Sequence, residues 1–154
     1  VWNGYICVYG GLRLMRHYKR GRKLNRTASH RSALLSNLAS AFVINKQIIT
    51  TQPKAKELRG FAERLITYAK KDSLHGRRLI LKKIKGRNSK KIADILIHDL
   101  APNYKDRNGG YTRIIQLDNR KNDNAKMCII EFVDLKINSD SPISNPDESE
   151  ESTE

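Results

Sequence analysis

Apolar residues recur at three- and four-residue steps over residues 28–44 and again over residues 53–71, which predicts an amphipathic helix in each segment. Ser29 or Thr27 can cap the first helix, and Thr51 can cap the second with Pro53 as its first residue. Each helix has one face suited to burial. The first face consists of Leu34, Leu35, Leu38, Ala39, Ala41 and Phe42, and the second of Leu58, Ala62, Leu65, Ile66 and Ala69.

Two shorter helices are predicted after residue 71. Asp72 and Ser73 interrupt the pattern and cap a third helix, which ends at Gly86. A fourth helix begins at Ser89 and ends before Pro102. Residues near the helical period form their apolar faces: Leu74, Leu81 and Ile84 in the third helix, and Ile92, Ile95, Leu96 and Leu100 in the fourth.

Three other segments have the composition of β-strands. Residues 48–51 are short and β-branched, and residues 111–117 and 126–133 are rich in β-branched and aromatic side chains. Between the last two lies DNRKNDNA, residues 118–125, whose turn-forming and charged residues predict a hairpin with a long polar loop. Three strands with one apolar face can pack under the helices. The sequence therefore predicts a two-layer α+β fold in the order arm-α-β-α-α-α-β-β.

Charge is distributed unevenly along this chain of 154 residues, which is long enough for one domain. Residues 15–134 hold 28 Lys or Arg and 10 Asp or Glu, a net charge of +18, and no acid occurs before Glu57. Such self-repulsion favours a polyanionic partner, for which nucleic acid is the first candidate and an anionic membrane the second. The membrane is disfavoured because the basic segment lacks an interfacial apolar face.

Composition divides the chain into four parts. Residues 1–14 are almost neutral, and we interpret them as a disordered upstream extension of a protein whose body begins near Met15. Residues 15–28 form a basic arm suited to a polyanion, and residues 29–134 form the compact α+β domain. Residues 135–154 hold one Lys and six acids, and they are predicted to be disordered because they cannot bury enough apolar surface to offset their ordering entropy.

The basic arm continues into the first helix as MRHYKRGRKLNRTASHR, residues 15–31. Between Arg16 and Arg31 it holds seven Arg or Lys, two His and no acid. Arginine can pair bidentately with phosphate, and Tyr18 can stack on unpaired bases. A solvated tail is the alternative. These features do not distinguish RNA from DNA as the partner. No helix-turn-helix, zinc finger or basic zipper is present, which favours binding through the shape and the phosphates of the nucleic acid.

The sequence contains no recognisable catalytic or metal-binding pattern. Its four histidines are isolated, and HExxH, CxxC and GxSxG are absent. Cys7 and Cys128 have neither a metal-ligand spacing nor a disulfide framework, and Cys128 is predicted to be a small core residue of a reduced, cytoplasmic protein. Gly109 and Gly110 are interpreted as a turn before a strand. We therefore expect no enzymatic activity, no cofactor and no small-molecule substrate.

The segment MRHYKRGRKLNRTASHRSALLSNLASAF, residues 15–42, resembles the opening of the bacterial large-subunit ribosomal protein number seventeen family. The similarity continues through IITTQPKAKELRGFAERLIT at residues 48–67. It resumes in GGYTRI at residues 109–114 and in DNAKMCIIEFVD at residues 123–134. The separate motifs occur in the family's order, which chance similarity between basic proteins would not produce.

The resemblance implies a structural constituent of the large ribosomal subunit, in the cytoplasm, bound to the large rRNA and beside neighbouring large-subunit proteins. It also implies an α+β fold with a final hairpin. Residues 82–91 match the family less well, and their basic residues are weaker candidates for rRNA contact. A DNA-binding protein and an RNA hydrolase are the alternatives. The expected rRNA-binding residues are Arg16, His17, Lys19, Arg20, Arg22, Lys23, Leu24, Asn25, Arg26, Ser29, His30, Arg31, Thr51, Lys54, Lys56, Arg59, Gly109, Gly110, Tyr111, Thr112 and Arg113.

Overall fold

The computed structural model describes residues 21–135. These residues combine helices with a small antiparallel sheet, which confirms the predicted α+β class. The elements are α1 Ala28–Asn45, β1 Gln47–Thr51, α2 Gln52–Lys70, α3 Leu74–Lys83, α4 Ser89–Asp94, a π-helical segment Ile95–Leu100, a 3-10 turn Pro102–Tyr104, β2 Thr112–Gln116 and β3 Met127–Phe132.

Three predicted features lie outside the described residues. They are the upstream segment 1–14, the first part of the basic arm, and the acidic tail after Leu135. The arm residues concerned are Arg16, His17, Lys19 and Arg20. Their predicted roles stay predictions.

Strand β3 lies between β1 and β2 and is antiparallel to both. Strands β2 and β3 form the predicted hairpin, whereas β1 is brought to β3 from far away in the sequence. The side chains of β3 alternate between the two faces of the sheet, so that Cys128, Ile130 and Phe132 are buried. Cys128 is thus the core residue that the sequence predicted, and burial raises the pKa of its thiol.

Helix α2 lies in the middle of the helical layer, where it contacts α1, α3 and the sheet. All five residues of its predicted apolar face are buried, and Ala55 extends that face. Thr51 occupies the N-cap position without a side-chain capping bond. Pro53 is the second helical residue, one position later than predicted. The clean period of this segment therefore predicted its buried face correctly.

Helix α1 buries a smaller face than its sequence predicts. Its buried residues begin at Ser36, and Leu34 and Leu35 are only partly buried. Phe42 stacks on Phe132 of β3, with the ring centroids 4.0 Å apart. The prediction for the first turns of this face was wrong because the core covers the helix only from Ser36 onward.

The buried face of helix α3 coincides only in part with the one predicted. Ile84 is buried as predicted, and Leu81 is partly buried and packs against the core. Leu74 is exposed, whereas Gly76, Ile80 and Ile84, at four-residue steps, are buried. The helix ends at Lys83, three residues before the glycine predicted to terminate it. Leu74 was assigned wrongly because it is the first helical residue and lies off the row that faces α2.

The junction between α2 and α3 requires a glycine. A Cβ atom at Gly76 would lie 2.4 Å from the carbonyl oxygen of Tyr68, which is closer than real Cβ contacts come. Ser73 caps α3 as predicted, since its Oγ accepts a hydrogen bond from the N–H of Gly76 at 3.0 Å. The cap and the absent side chain together let α3 begin directly against the end of α2.

Tyr104 connects the helical layer to the end of the sheet. Its hydroxyl donates a hydrogen bond to the carbonyl oxygen of Val133 at 2.7 Å, and its ring packs edge-on against Tyr111 with centroids 5.2 Å apart. Burial raises the pKa of Tyr104 to about 12. The segment after α4 is therefore held to the last strand by a buried, neutral phenol.

Candidate nucleic-acid interface

The described part of the basic arm forms a tight turn before α1. The N–H of Arg26 donates to the carbonyl oxygen of Lys23 at 3.1 Å, and Leu24 and Asn25 between them have φ angles of 54° and 50°. Asparagine tolerates this left-handed conformation, whereas a leucine in it is uncommon. The turn leaves Lys23 and Asn25 exposed, with Leu24 and Arg26 partly buried.

The beginning of this segment lies against α2. Arg22 Nη1 is 3.4 Å from Glu57 Oε1, and a Cβ atom at Gly21 would lie 3.2 Å from the other carboxylate oxygen of Glu57. The Arg22 side chain is half exposed, so this ion pair contributes only about 0–1 kcal/mol. Its main consequence is geometric, because it places the cations of the arm beside those of α2.

The first turn of α1 is cationic, although a helix N-terminus favours acids. Thr27 is the N-cap without a side-chain capping bond, and no acid follows in the first turn. Ser29 and His30 are exposed, Arg31 is partly exposed, and the guanidinium of Arg26 lies against the ring of His30. Because a helix N-terminus carries partial positive charge, this arrangement is unfavourable in the isolated chain and suits an anionic partner.

The predicted contacts on α2 differ in their exposure. Lys56 and Arg59 are exposed, whereas Thr51 and Lys54 are partly buried. Arg59 forms an ion pair with Glu63 one helical turn later, with Nε and Oε1 3.4 Å apart. Such an exposed pair is weak, so Arg59 can exchange its partner for a phosphate at little cost. Lys56 and Arg59 are therefore the two α2 positions best placed to bind.

Tyr111 and Thr112 are buried and do not form part of an exposed surface. Tyr111 is 4% exposed, and its hydroxyl lies 3.3 Å from Lys70 Nζ, which also donates to the carbonyl oxygen of Arg107 at 2.6 Å. Thr112 Oγ1 donates to Glu63 Oε1 at 3.3 Å. The predicted rRNA contacts of these two residues stay predictions, and in this structure both side chains lie inside the fold. Their partners are within the chain, where they fix the start of β2.

The other residues of that motif are accessible. Gly109 and Gly110 are exposed in the turn before β2, as predicted, and Gly110 has a φ of 63°. Arg113 is exposed and forms an ion pair with Glu131 on the neighbouring strand. The buried residues Tyr111 and Thr112 therefore separate the exposed glycines from the exposed Arg113. The motif does not present one continuous surface.

Helices α3 and α4 and the connection between them carry a second cluster of cations, which the sequence indicated as weaker candidates for contact. No acid occurs between Asp72 and Asp94, and Asp94 pairs with Arg77 at 2.6 Å. The lysine-rich sequence at residues 82–91 was the signal for this cluster, although it resembles the family less well than the other motifs do. We call the exposed cations of α3, of α4 and of the residues between them the basic connection; they are Arg78, Lys82, Lys83, Lys85, Arg87, Lys90 and Lys91.

The basic connection is held to the core. Ser36 Oγ accepts from the N–H of Lys85 at 2.9 Å and donates to its carbonyl oxygen at 3.2 Å. Ile84 is buried beside it, and Gly86 follows with a φ of 132°, a value that favours glycine. These cations are therefore displayed on an anchored backbone.

The described part of the chain offers neither a cluster of metal ligands nor a membrane-spanning helix. Residues 21–135 contain no group of three or more His, Cys, Asp or Glu side chains that could hold a metal ion. His75 and His98 are exposed. Within the same residues, no helix is long and apolar enough to cross a membrane. The cationic surface is the candidate site that these residues offer.

Comparisons with known proteins identify the family of this chain. The family model described as ribosomal protein L17 matches residues 34–133. Relatives named large ribosomal subunit protein bL17 come from Methylacidiphilum infernorum (50% identity over 123 residues, covering 80% of this chain and 92% of the relative) and Rickettsia canadensis (53% over 124 residues, 80% and 89%). A third, from Bradyrhizobium diazoefficiens, is 48% identical over 133 residues, covering 86% of this chain and 94% of the relative. The chain therefore belongs to the ribosomal protein L17 family.

Proposed function

We propose that this protein is a structural constituent of the large ribosomal subunit, which binds the large rRNA and stabilises its fold without catalysing a reaction. The charge balance carries this proposal. Residues 21–135 hold 25 Lys or Arg and 10 Asp or Glu, and all six ion pairs formed among them use an arginine. The 14 lysines of this region thus form no ion pair within it, and the exposed ones among them are available for phosphate.

The proposed binding surface has three parts. They are the basic arm, including its residues before Gly21, the exposed cations of α2, and the basic connection. Arg22 and Glu57 join the first part to the second. Tyr111 and Thr112 are not included, because they support the fold from within. The predicted element order, in which the basic arm comes before the first helix, is part of this proposal because the arm residues before Gly21 lie outside the described part of the chain.

Binding is proposed to order the arm against rRNA. Ordering about fifteen residues costs roughly 1–2 kcal/mol for each. Phosphate pairing with counterion release has to offset that cost, which makes the association strongly salt-dependent. The relatives of this chain are named as proteins of the large ribosomal subunit. A folded ribosomal RNA is therefore the polyanion that we assign to the cationic surface.

Sucrose-gradient sedimentation of cell extracts tests the proposal. The full-length protein is expected in the large-subunit fraction at moderate salt, and a variant lacking residues 16–26 is expected at the top of the gradient. Circular dichroism of the purified variant provides the control, because the body should keep its helical signal. Full-length protein found on chromosomal DNA or free of particles would contradict the proposal, as would RNA cleavage by the purified protein.

A further inference from the structure

The outer face of the sheet carries an exposed apolar row that crosses all three strands. Ile49 of β1 and Ile115 of β2 both pair in register with Ile129 of the central strand. The N–H of Leu117 donates to the carbonyl oxygen of Met127 at 3.0 Å, which extends the ladder by one more pair. We call these five residues the outer apolar face. Its most exposed members are Ile49, Ile115 and Leu117, at 53%, 42% and 39% exposure.

This face is not explained by the fold of the isolated chain. The opposite face of the sheet already supplies the core through Cys128, Ile130 and Phe132. Three of the five large apolar side chains that are exposed in residues 21–135 belong to the outer apolar face. Apolar side chains scattered singly need no explanation, but a contiguous group at register positions marks an interaction surface.

Charge indicates which kind of partner this face accepts. Its charged positions are Arg113 and Glu131, which pair in register and form an ion pair with each other. The remaining outer positions, Gln47 and Thr51, are neutral. No free cation is therefore available on these strands for a phosphate, in contrast to α2 and the basic connection. A second copy of the chain is disfavoured, because two chains with a net charge of +14 each would repel one another.

We propose that the outer apolar face binds an apolar segment of a neighbouring protein of the large subunit; this rests on the proposed function. The isoleucine side chains of this face form a row that crosses the three strands. Branched or aromatic side chains of a partner can pack against such a row. The chain then has two surfaces with different partners. The cationic helices bind rRNA, and the far side of the sheet binds protein.

Site-specific photocrosslinking in purified large subunits tests this assignment. A photoreactive benzophenone amino acid replaces Ile115, and the matched control places it at Leu74, which is also exposed but lies on α3. Sedimentation of both variants with the subunit is measured first, since its loss would contradict the proposed function and not this inference. With sedimentation intact, the probe at position 115 is expected to crosslink a protein about tenfold more than the control does.

Crosslinks from position 115 to rRNA, to a second copy of the chain, or to nothing above the control would each overturn the inference.

A second measurement avoids dependence on the photoreactive probe. The double variant Ile49→Thr and Ile115→Thr keeps β-branched residues in the strands and removes their apolar ends. Its affinity for isolated rRNA and its salt slope should stay unchanged, while crosslinking of the neighbouring protein by an external reagent falls about tenfold. A similar fall in rRNA affinity would contradict protein binding by this face.

Discussion

Ser36 of α1 and Lys85 after α3 are joined by two hydrogen bonds, although 49 residues separate them. The Ser36 hydroxyl is buried and binds both the N–H and the carbonyl oxygen of Lys85. A single hydroxyl thereby fixes the backbone from which the basic connection projects. This links a core position directly to the proposed rRNA-binding surface.

Replacing Ser36 with alanine is expected to destabilise the fold. The change leaves the backbone groups of Lys85 without their partner, and an unpaired buried polar group costs about 1–3 kcal/mol. Denaturant unfolding followed by circular dichroism measures the difference. Ser32→Ala, at an exposed position of the same helix, is the control and should change stability by less than about 0.5 kcal/mol. Equal effects of the two changes would contradict a structural role for the Ser36 contact.

Two glycines on neighbouring helices are expected to respond oppositely to the same substitution. Gly76→Ala places a Cβ atom 2.4 Å from the Tyr68 carbonyl oxygen, and overpacking of this kind costs typically about 1–3 kcal/mol. Gly60→Ala meets no atom within 4 Å in the middle of α2, where alanine is favoured over glycine by about 0.5–1 kcal/mol. Urea unfolding of both variants checks the two signs. Stabilisation by alanine at position 76 would show that α3 lies farther from α2.

The basic connection is expected to contribute a measurable part of the salt dependence of binding. Changing Lys82, Lys83, Lys85 and Arg87 to Gln should make the slope of log affinity against log salt less steep by about 3–4, since each phosphate contact contributes about one. The measurement is a filter-binding titration with isolated large rRNA. Lys105→Gln and Lys121→Gln are exposed charge changes outside the proposed surface and should leave the slope nearly constant.

Stability is expected to fall at alkaline pH because of Tyr104. Burial raises the pKa of Tyr104 to about 12 in the folded chain, above the value of about 10 for an unperturbed tyrosine. The folded state therefore favours the neutral phenol, so this contribution is complete below pH 10 and is lost as the pH rises from about 10 to about 12. Thermal unfolding across this range measures the loss. Tyr104→Phe should weaken the dependence, and an unchanged profile would contradict this origin.

Local periodicity predicted much of the fold. The predicted apolar face of α2 was correct, because the buried residues of this helix recur at the helical period. Leu74 was assigned wrongly because the same period cannot tell which face of a short helix meets its neighbour. Gly76 decides which face of α3 is buried, because a Cβ atom at this position would collide with the carbonyl oxygen of Tyr68 on α2.

The candidate site was only partly accessible to sequence reasoning. Charge density identified the arm, but the contact between Ser36 and Lys85 depends on tertiary structure and leaves no local pattern. Tyr111 and Thr112 belong to a motif that resembles the family, yet their hydroxyls bind Lys70 and Glu63 inside the chain. A motif indicates that a residue matters without separating a structural role from direct contact.

The most direct test of the account is the salt dependence with which the full-length protein binds isolated large-subunit rRNA. If about 8 phosphates are neutralised, the slope of log affinity against log salt is expected to be about −6 to −7. A slope near zero would contradict the claim that the cations of this chain bind rRNA phosphates.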